Sequence, residues 1–139
     1  MDNAFVADAS VGVAWAFPGQ ADERTHALAV EVLEGRPFTI PALWMAEVAN
    51  SLLILQRRKK LDLRTRIQVS RDLVELGPTI DDEHPGIAFT RVSELAEKYD
   101  LSVYDATYLE LALRWGLPLA SRDGPLNKAA KKCGIETLL

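Results

Sequence analysis

Ala4-Phe5-Val6-Ala7-Asp8-Ala9-Ser10 holds the pattern on which the chain is built. Four apolar residues, too few for a helix, run into an acid and a hydroxyl residue that read as a strand-to-helix turn. The unit recurs along the chain. Phe38-Thr39-Ile40 lies between Pro37 and Pro41, and Leu117 to Ala120 leads into Ser121-Arg122-Asp123-Gly124. Thr79-Ile80 reads as a further strand and Ile135 to Leu138 as a possible edge strand. Between them lie segments of helical length: Glu23 to Glu34, stopped by Gly35, then Ala42 to Arg58, ending in Arg57-Arg58-Lys59-Lys60, where cations suit the helix dipole. Asp62 can cap Leu63 to Leu76, Ile87 to Tyr99 keeps rough helical spacing, and Leu126 to Cys133 forms a short last helix. Ser102-Val103-Tyr104-Asp105 has the form of a capping box opening a helix that runs to Gly116. Short apolar runs alternating with helices give an α/β class, with a parallel sheet of four or five short strands flanked by helices.

Composition bounds what such a fold can do. The 139 residues are 48% apolar and 26% charged, with a net charge of −4, and they read as one domain spanning residues 1–139. The one cysteine, Cys133, excludes an internal disulfide and favours a cytoplasmic setting. The longest uncharged run, Ala9 to Ala21, is interrupted by Pro18 and Gly19 and falls short of the roughly 20 apolar residues of a membrane span. Met1-Asp2-Asn3 carries acid where a secretory signal carries positive charge, so no cleaved leader is expected. An acidic balance also argues against a broad basic surface for nucleic acid, so such a partner must be held locally.

Glu47 is the only charged side chain between Ile40 and Leu55. An ionised carboxylate in those surroundings is costly unless a cation or several donors meet it. Asp8, Asp105 and Asp123 each have an ordinary structural use, as helix cap, capping-box acid and turn residue. Yet Asp8 and Asp123 both follow strands, where the carboxyl ends of an open parallel sheet form the ligand crevice, and Asp105 opens the helix before the last of these strands. Two carboxylates about 5 Å apart repel by roughly 3 kcal/mol at an effective dielectric of about 20, so a convergent set needs protons or hard cations. Oxygen-only ligands match Mg²⁺ or Mn²⁺, while His26 and His84 lie in polar segments without a second ligand nearby. Carboxylates around such an ion are suited to phosphodiester hydrolysis by activated water, which needs no protein nucleophile. No G-x-S-x-G, P-loop or G-x-G-x-x-G run is present.

Val6-Ala7-Asp8-Ala9-Ser10, Pro41-Ala42-Leu43-Trp44-Met45-Ala46-Glu47-Val48-Ala49-Asn50, Leu101 to Tyr108 and Ala120-Ser121-Arg122-Asp123 together resemble the four acidic motifs of PIN domains. In order and length they are similar to the VapC-type ribonuclease toxins of toxin-antitoxin pairs. The resemblance implies an acidic pocket holding Mg²⁺ or Mn²⁺ on Asp8, Glu47, Asp105 and Asp123, and endonucleolytic cleavage of RNA. It also implies supporting roles for Ser10, Asn50 and Ser121, a homodimer, and an antitoxin partner whose tail enters the acidic groove. Ser121 stands where the family often has Thr, which keeps the hydroxyl. Arg122, between two of these residues, is a candidate phosphate contact, and Trp15, Trp44 and Trp115 read as core or interface. Two other readings remain open. Asp81-Asp82 after the third strand fits a Mg²⁺-binding phosphoacceptor module, although that module needs a Lys on a late strand and Leu117 to Ser121 has none. A PIN-like fold retained for binding without turnover is the other.

Overall fold

The computed structural model describes residues 3–139. Its sheet has four parallel strands, β1 (Phe5–Ala7), β2 (Phe38–Ile40), β3 (Thr79–Ile80) and β4 (Leu119–Ala120), in the order β3-β2-β1-β4. The register pairs Phe5 with Phe38, Val6 with Leu119, Ala7 with Ala120 and Thr39 with Thr79. β1, β2 and β4 are buried along their whole length, as parallel strands covered on both faces must be. The helices are α1 (Ala9–Ala16), α2 (Glu23–Leu33), α3 (Leu43–Arg57), α4 (Leu63–Glu75), α5 (Arg91–Tyr99), α6 (Val103–Trp115) and α7 (Gly124–Lys132).

Strand order carries the functional consequence. From β1 the chain builds outward through β2 to β3, then returns to place β4 on the other side of β1. The order therefore reverses at β1 and β4, and such a switch point opens a crevice at the carboxyl ends of those two strands. Asp8 follows β1, and Ser121 to Asp123 follow β4.

Helix α1 lies close against α3 because Gly12 has no side chain. A Cβ there would sit 2.5 Å from Trp44 Cζ2 and 2.9 Å from Val48 Cγ2. Trp44 is fully buried, and its indole N–H donates to the Asp8 carbonyl at 2.9 Å. The same tryptophan thus packs the core and fixes the backbone of the first acid. Phe5, Phe38, Leu52, Leu109 and Leu119 fill the space around it, with Trp15 set edge-on to Phe38 at 5.3 Å between ring centroids.

Three elements differ from the sequence expectation. Ile135 to Leu138 is no strand but a single bridge between Thr137 and Leu119. The strand expected over Leu117 to Ala120 is confined to Leu119–Ala120. The helix expected from Ile87 begins at Arg91, because Pro85–Phe89 form a tighter 3₁₀ turn in which His84 Nδ1 accepts the Gly86 N–H. His26 and His84 are both exposed, and no helix among the described residues is long and apolar enough to cross a membrane.

Candidate metal-binding and nuclease site

Asp8 is the centre of the crevice and is only 4% exposed. It is the N-cap of α1, with Oδ1 accepting the Val11 N–H at 3.3 Å. Oδ1 also accepts the Ser10 hydroxyl at 2.5 Å, and Oδ2 accepts the Ser121 hydroxyl at 2.5 Å. Each serine is oriented from behind. Ser10 Oγ accepts the Arg122 N–H at 3.0 Å, and Ser121 Oγ accepts the Asp123 N–H at 2.9 Å. With an N–H pointing at each hydroxyl oxygen, each hydroxyl proton is directed to Asp8. The two turns at the switch point are therefore joined through one carboxylate.

Burial is the largest influence on Asp8 and pushes its pKa up to about 6. The three hydrogen bonds oppose that shift, and repulsion from Asp105 adds to it. Asp105 sits in the first turn of α6, whose N-cap Ser102 accepts the Asp105 N–H at 3.0 Å. Its carboxyl is raised by burial and then by repulsion from Asp123. Asp123 caps α7 with Oδ2, which accepts the Leu126 N–H at 2.9 Å. Capping and site formation are not competing uses here, because a carboxylate has about four lone-pair directions and the cap occupies one.

Glu47 projects from α3 and is half-buried. Tyr108, buried on α6, donates its hydroxyl to Glu47 Oε1 at 2.7 Å. Burial raises the Glu47 pKa, the Tyr108 bond lowers it and Asp105 raises it again. Tyr108 is itself pushed well above the ordinary phenol range, by burial first and then by Glu47, Asp8 and Asp105. Tyr108 and Trp44 are the site residues that sequence reasoning missed. A buried aromatic in an apolar helix reads as core, and only the pairing of α6 with α3 shows that its polar tip reaches an acid.

The structure thus brings Asp8, Glu47, Asp105 and Asp123 into one electrostatic neighbourhood with Asp105 as its hub. None of the four forms an ion pair with Lys, Arg or His among the described residues. Nor, among those residues, are three or more acid, imidazole or thiol groups gathered tightly enough to enclose an ion. The donor set nevertheless fits a hard divalent cation. It is all oxygen, and burial together with mutual repulsion has raised three of its pKa values, the mark of negative charge lacking a counter-charge.

The remaining candidates lie around this centre. Asn50 is exposed on α3, one turn beyond Glu47. Arg122 is exposed, its guanidinium bonded to the Gln20 carbonyl, and it lines a groove of about 480 Å³ with Ser10, Ser51, Ile54 and Asp123. Trp44 is core, whereas Trp15 is partly buried and Trp115 half-exposed. Asp81 is clamped by Arg114, Nη1 to Oδ1 at 3.0 Å and Nη2 to Oδ2 at 2.6 Å. That clamp leaves Asp81 poorly placed to be a phosphoacceptor.

Comparison with known proteins gives the same fold. The family model described as PIN domain matches residues 5–132. No curated protein sequence matches the chain. A crystal structure of PAE2754 from Pyrobaculum aerophilum is similar with a TM-score of 0.76 at 21% identity, covering 99% of this chain and 91% of that one. A crystal structure of FitAcB from Neisseria gonorrhoeae is similar with a TM-score of 0.66 at 18% identity, covering 97% and 96% respectively.

Proposed function

The chain belongs to the PIN-domain family, whose members are generally nucleases, and on that premise we propose that it is a divalent-metal-dependent endoribonuclease, the toxin of a toxin-antitoxin pair. The observation that carries the nuclease reading is the set of four carboxylates on four chain segments, each acting electrostatically on at least one other and, among the described residues, paired with no cationic side chain. The toxin reading rests on the order and spacing of the four acidic motifs within a chain of 139 residues.

Asp8, Asp105, Asp123 and Glu47 are the residues that would hold Mg²⁺ or Mn²⁺, which when bound activates water and offsets charge on the phosphate. The chain's own groups prepare that site. Ser10 and Ser121 hold both oxygens of Asp8 in place, so the carboxylate does not reorganise when a cation arrives. Tyr108 holds Glu47 in the same way from α6. Among the described residues Asp123 Oδ1 accepts no hydrogen bond, while Oδ2 caps α7. Arg122, fixed at the groove wall, is positioned to meet a phosphate of the RNA.

A homodimer and a cognate antitoxin are the partners this reading implies. A cationic antitoxin side chain entering the crevice would replace the missing counter-charge, giving inhibition an electrostatic route. Purified protein, freed of any antitoxin, is expected to cleave single-stranded RNA with Mg²⁺ or Mn²⁺ and to stop when chelator is added. Cleavage that persists in chelator, or survives unchanged in Asp8→Asn, contradicts the assignment.

A further inference from the structure

A polyanion approaching four unpaired carboxylates is repelled, so whatever draws it in must be local. Arg36, Arg91 and Arg114 are not available for this, since each is engaged with carboxylates of the chain itself. Lys98, Lys128 and Lys132 differ. All three are exposed, none forms an ion pair among the described residues, and all three line one open cavity of about 560 Å³ between α5 and α7.

Lys98 and Lys132 suit the dipoles of the helices they end, and Lys98 sits 5.4 Å from the Tyr99 ring centroid, but neither use requires the three lysines to share one cavity. Lys128 and Lys132 stand one turn apart on α7, where like charges disfavour the helix, and Lys98 faces them from the last turn of α5. Among the described residues Asp100 is the one acid lining the cavity, leaving a surplus of positive charge. The cavity also adjoins the acidic crevice. Its wall includes Gly124 and Pro125, which directly follow Asp123, and the carboxylate of Asp123 is close enough to Asp105 to raise its pKa. Asp123 itself lines the groove that holds Arg122, so the two cavities meet at consecutive residues.

We propose that the Lys98–Lys128–Lys132 cavity binds the phosphate backbone of single-stranded RNA beside the cleavage site, so that the strand crosses Asp123 from the Arg122 groove to the lysines. This rests on the ribonuclease reading and adds to it a determinant of substrate length. RNA long enough to span both sides gains affinity from the lysines, while a dinucleotide confined to the acids does not. Each phosphate released from such a contact changes the salt dependence of single-strand binding by about 0.7 in slope.

The test uses full-length protein and a fluorescein-labelled single-stranded RNA about twelve nucleotides long, with anisotropy in chelator for binding and gel analysis in Mn²⁺ for cleavage. A variant carrying Lys98→Gln, Lys128→Gln and Lys132→Gln is compared with a charge-matched variant carrying Arg57→Gln, Arg58→Gln and Lys60→Gln. The expected result is binding weaker by about tenfold or more and a shallower salt slope in the cavity variant alone. KM for the oligonucleotide rises, and turnover of a dinucleotide is unchanged. Equal loss in both variants would make the effect one of bulk charge and overturn the proposal. Parent-like RNA binding in the cavity variant would overturn it too, including the case where only capture of a poly-glutamate probe is weakened. An inactive parent that still binds RNA through these lysines would refute the nuclease reading and leave the binding site standing.

Discussion

Two groups of carboxylates lie along the same edge of one sheet, and they are treated in opposite ways. Beyond β3, Asp81 and the buried Glu110 both bond to Arg114, which Glu83 also approaches, and Arg91 meets Glu83 and Glu110. Beyond β1 and β4, Asp8 is as buried as Glu110, at 4% exposed in each case, yet only hydroxyls and a backbone N–H meet it. The first group supplies its own cations. The second leaves its charge uncompensated, an arrangement that costs stability and makes sense if a cation comes from outside.

The sharpest way to break this contrast is to remove one member from each group. Asp8→Asn is expected to lower RNA cleavage by more than about a hundredfold while leaving thermal stability in chelator unchanged or higher, since a buried charge is lost. Arg114→Ala should do the reverse. Leaving the buried Asp81 carboxylate without its partner, and Glu110 with Arg91 alone, costs about 3 kcal/mol of stability, read by urea unfolding, with cleavage per folded molecule retained. If both variants lose stability and both keep activity, the distinction between the two groups is false.

Proton linkage sharpens the comparison next. A carboxylate whose pKa rises on folding from 3.8 to about 6 binds more protons in the native state, so its contribution to stability falls as pH rises through that window. In chelator, Asp8 alone should lower stability by about 2 kcal/mol between pH 4 and 7, and Glu47 and Asp105 act in the same direction. Asp22, Asp62 and Glu83, whose pKa values are held down by backbone hydrogen bonds, oppose this only at lower pH, where their contributions are lost as they protonate. Urea melts across pH, repeated with Asp8→Asn, read the difference. Mn²⁺ is expected to flatten the parent's profile, and metal affinity should weaken as pH drops through about 6.

Smaller effects follow from the supporting hydroxyls. Tyr108→Phe removes the donor to Glu47 and should lower cleavage by about tenfold with the fold intact. Ser121→Ala, which frees Asp8 Oδ2 and the Asp123 N–H together, should cost about 1 kcal/mol and a similar factor in activity.

These dependencies explain what was legible beforehand. Asp8 and Asp123 announce themselves because a strand end followed by an acid is a local pattern, and parallel topology sends both to the same edge. Glu47 is visible as the lone charge in an apolar helix. Tyr108 and Trp44 are not visible, because their apolar bodies satisfy the helical pattern and only distant partners use their polar tips. The Arg114 clamp joins residues 33 apart in sequence and leaves no periodic trace. The lost fifth strand is a matter of length, since a segment pairing at one position cannot extend a ladder.

Everything above depends on the unpaired acids sharing one metal ion. Anomalous diffraction from crystals soaked in Mn²⁺ at neutral pH tests it directly, in parent and Asp8→Asn protein alike. Density is expected between Asp8, Asp105 and Asp123, with oxygen ligands about 2.0–2.6 Å away in the parent, and its loss in the variant. Density absent from the crevice, or found only elsewhere, at a Mn²⁺ concentration that saturates cleavage would contradict it.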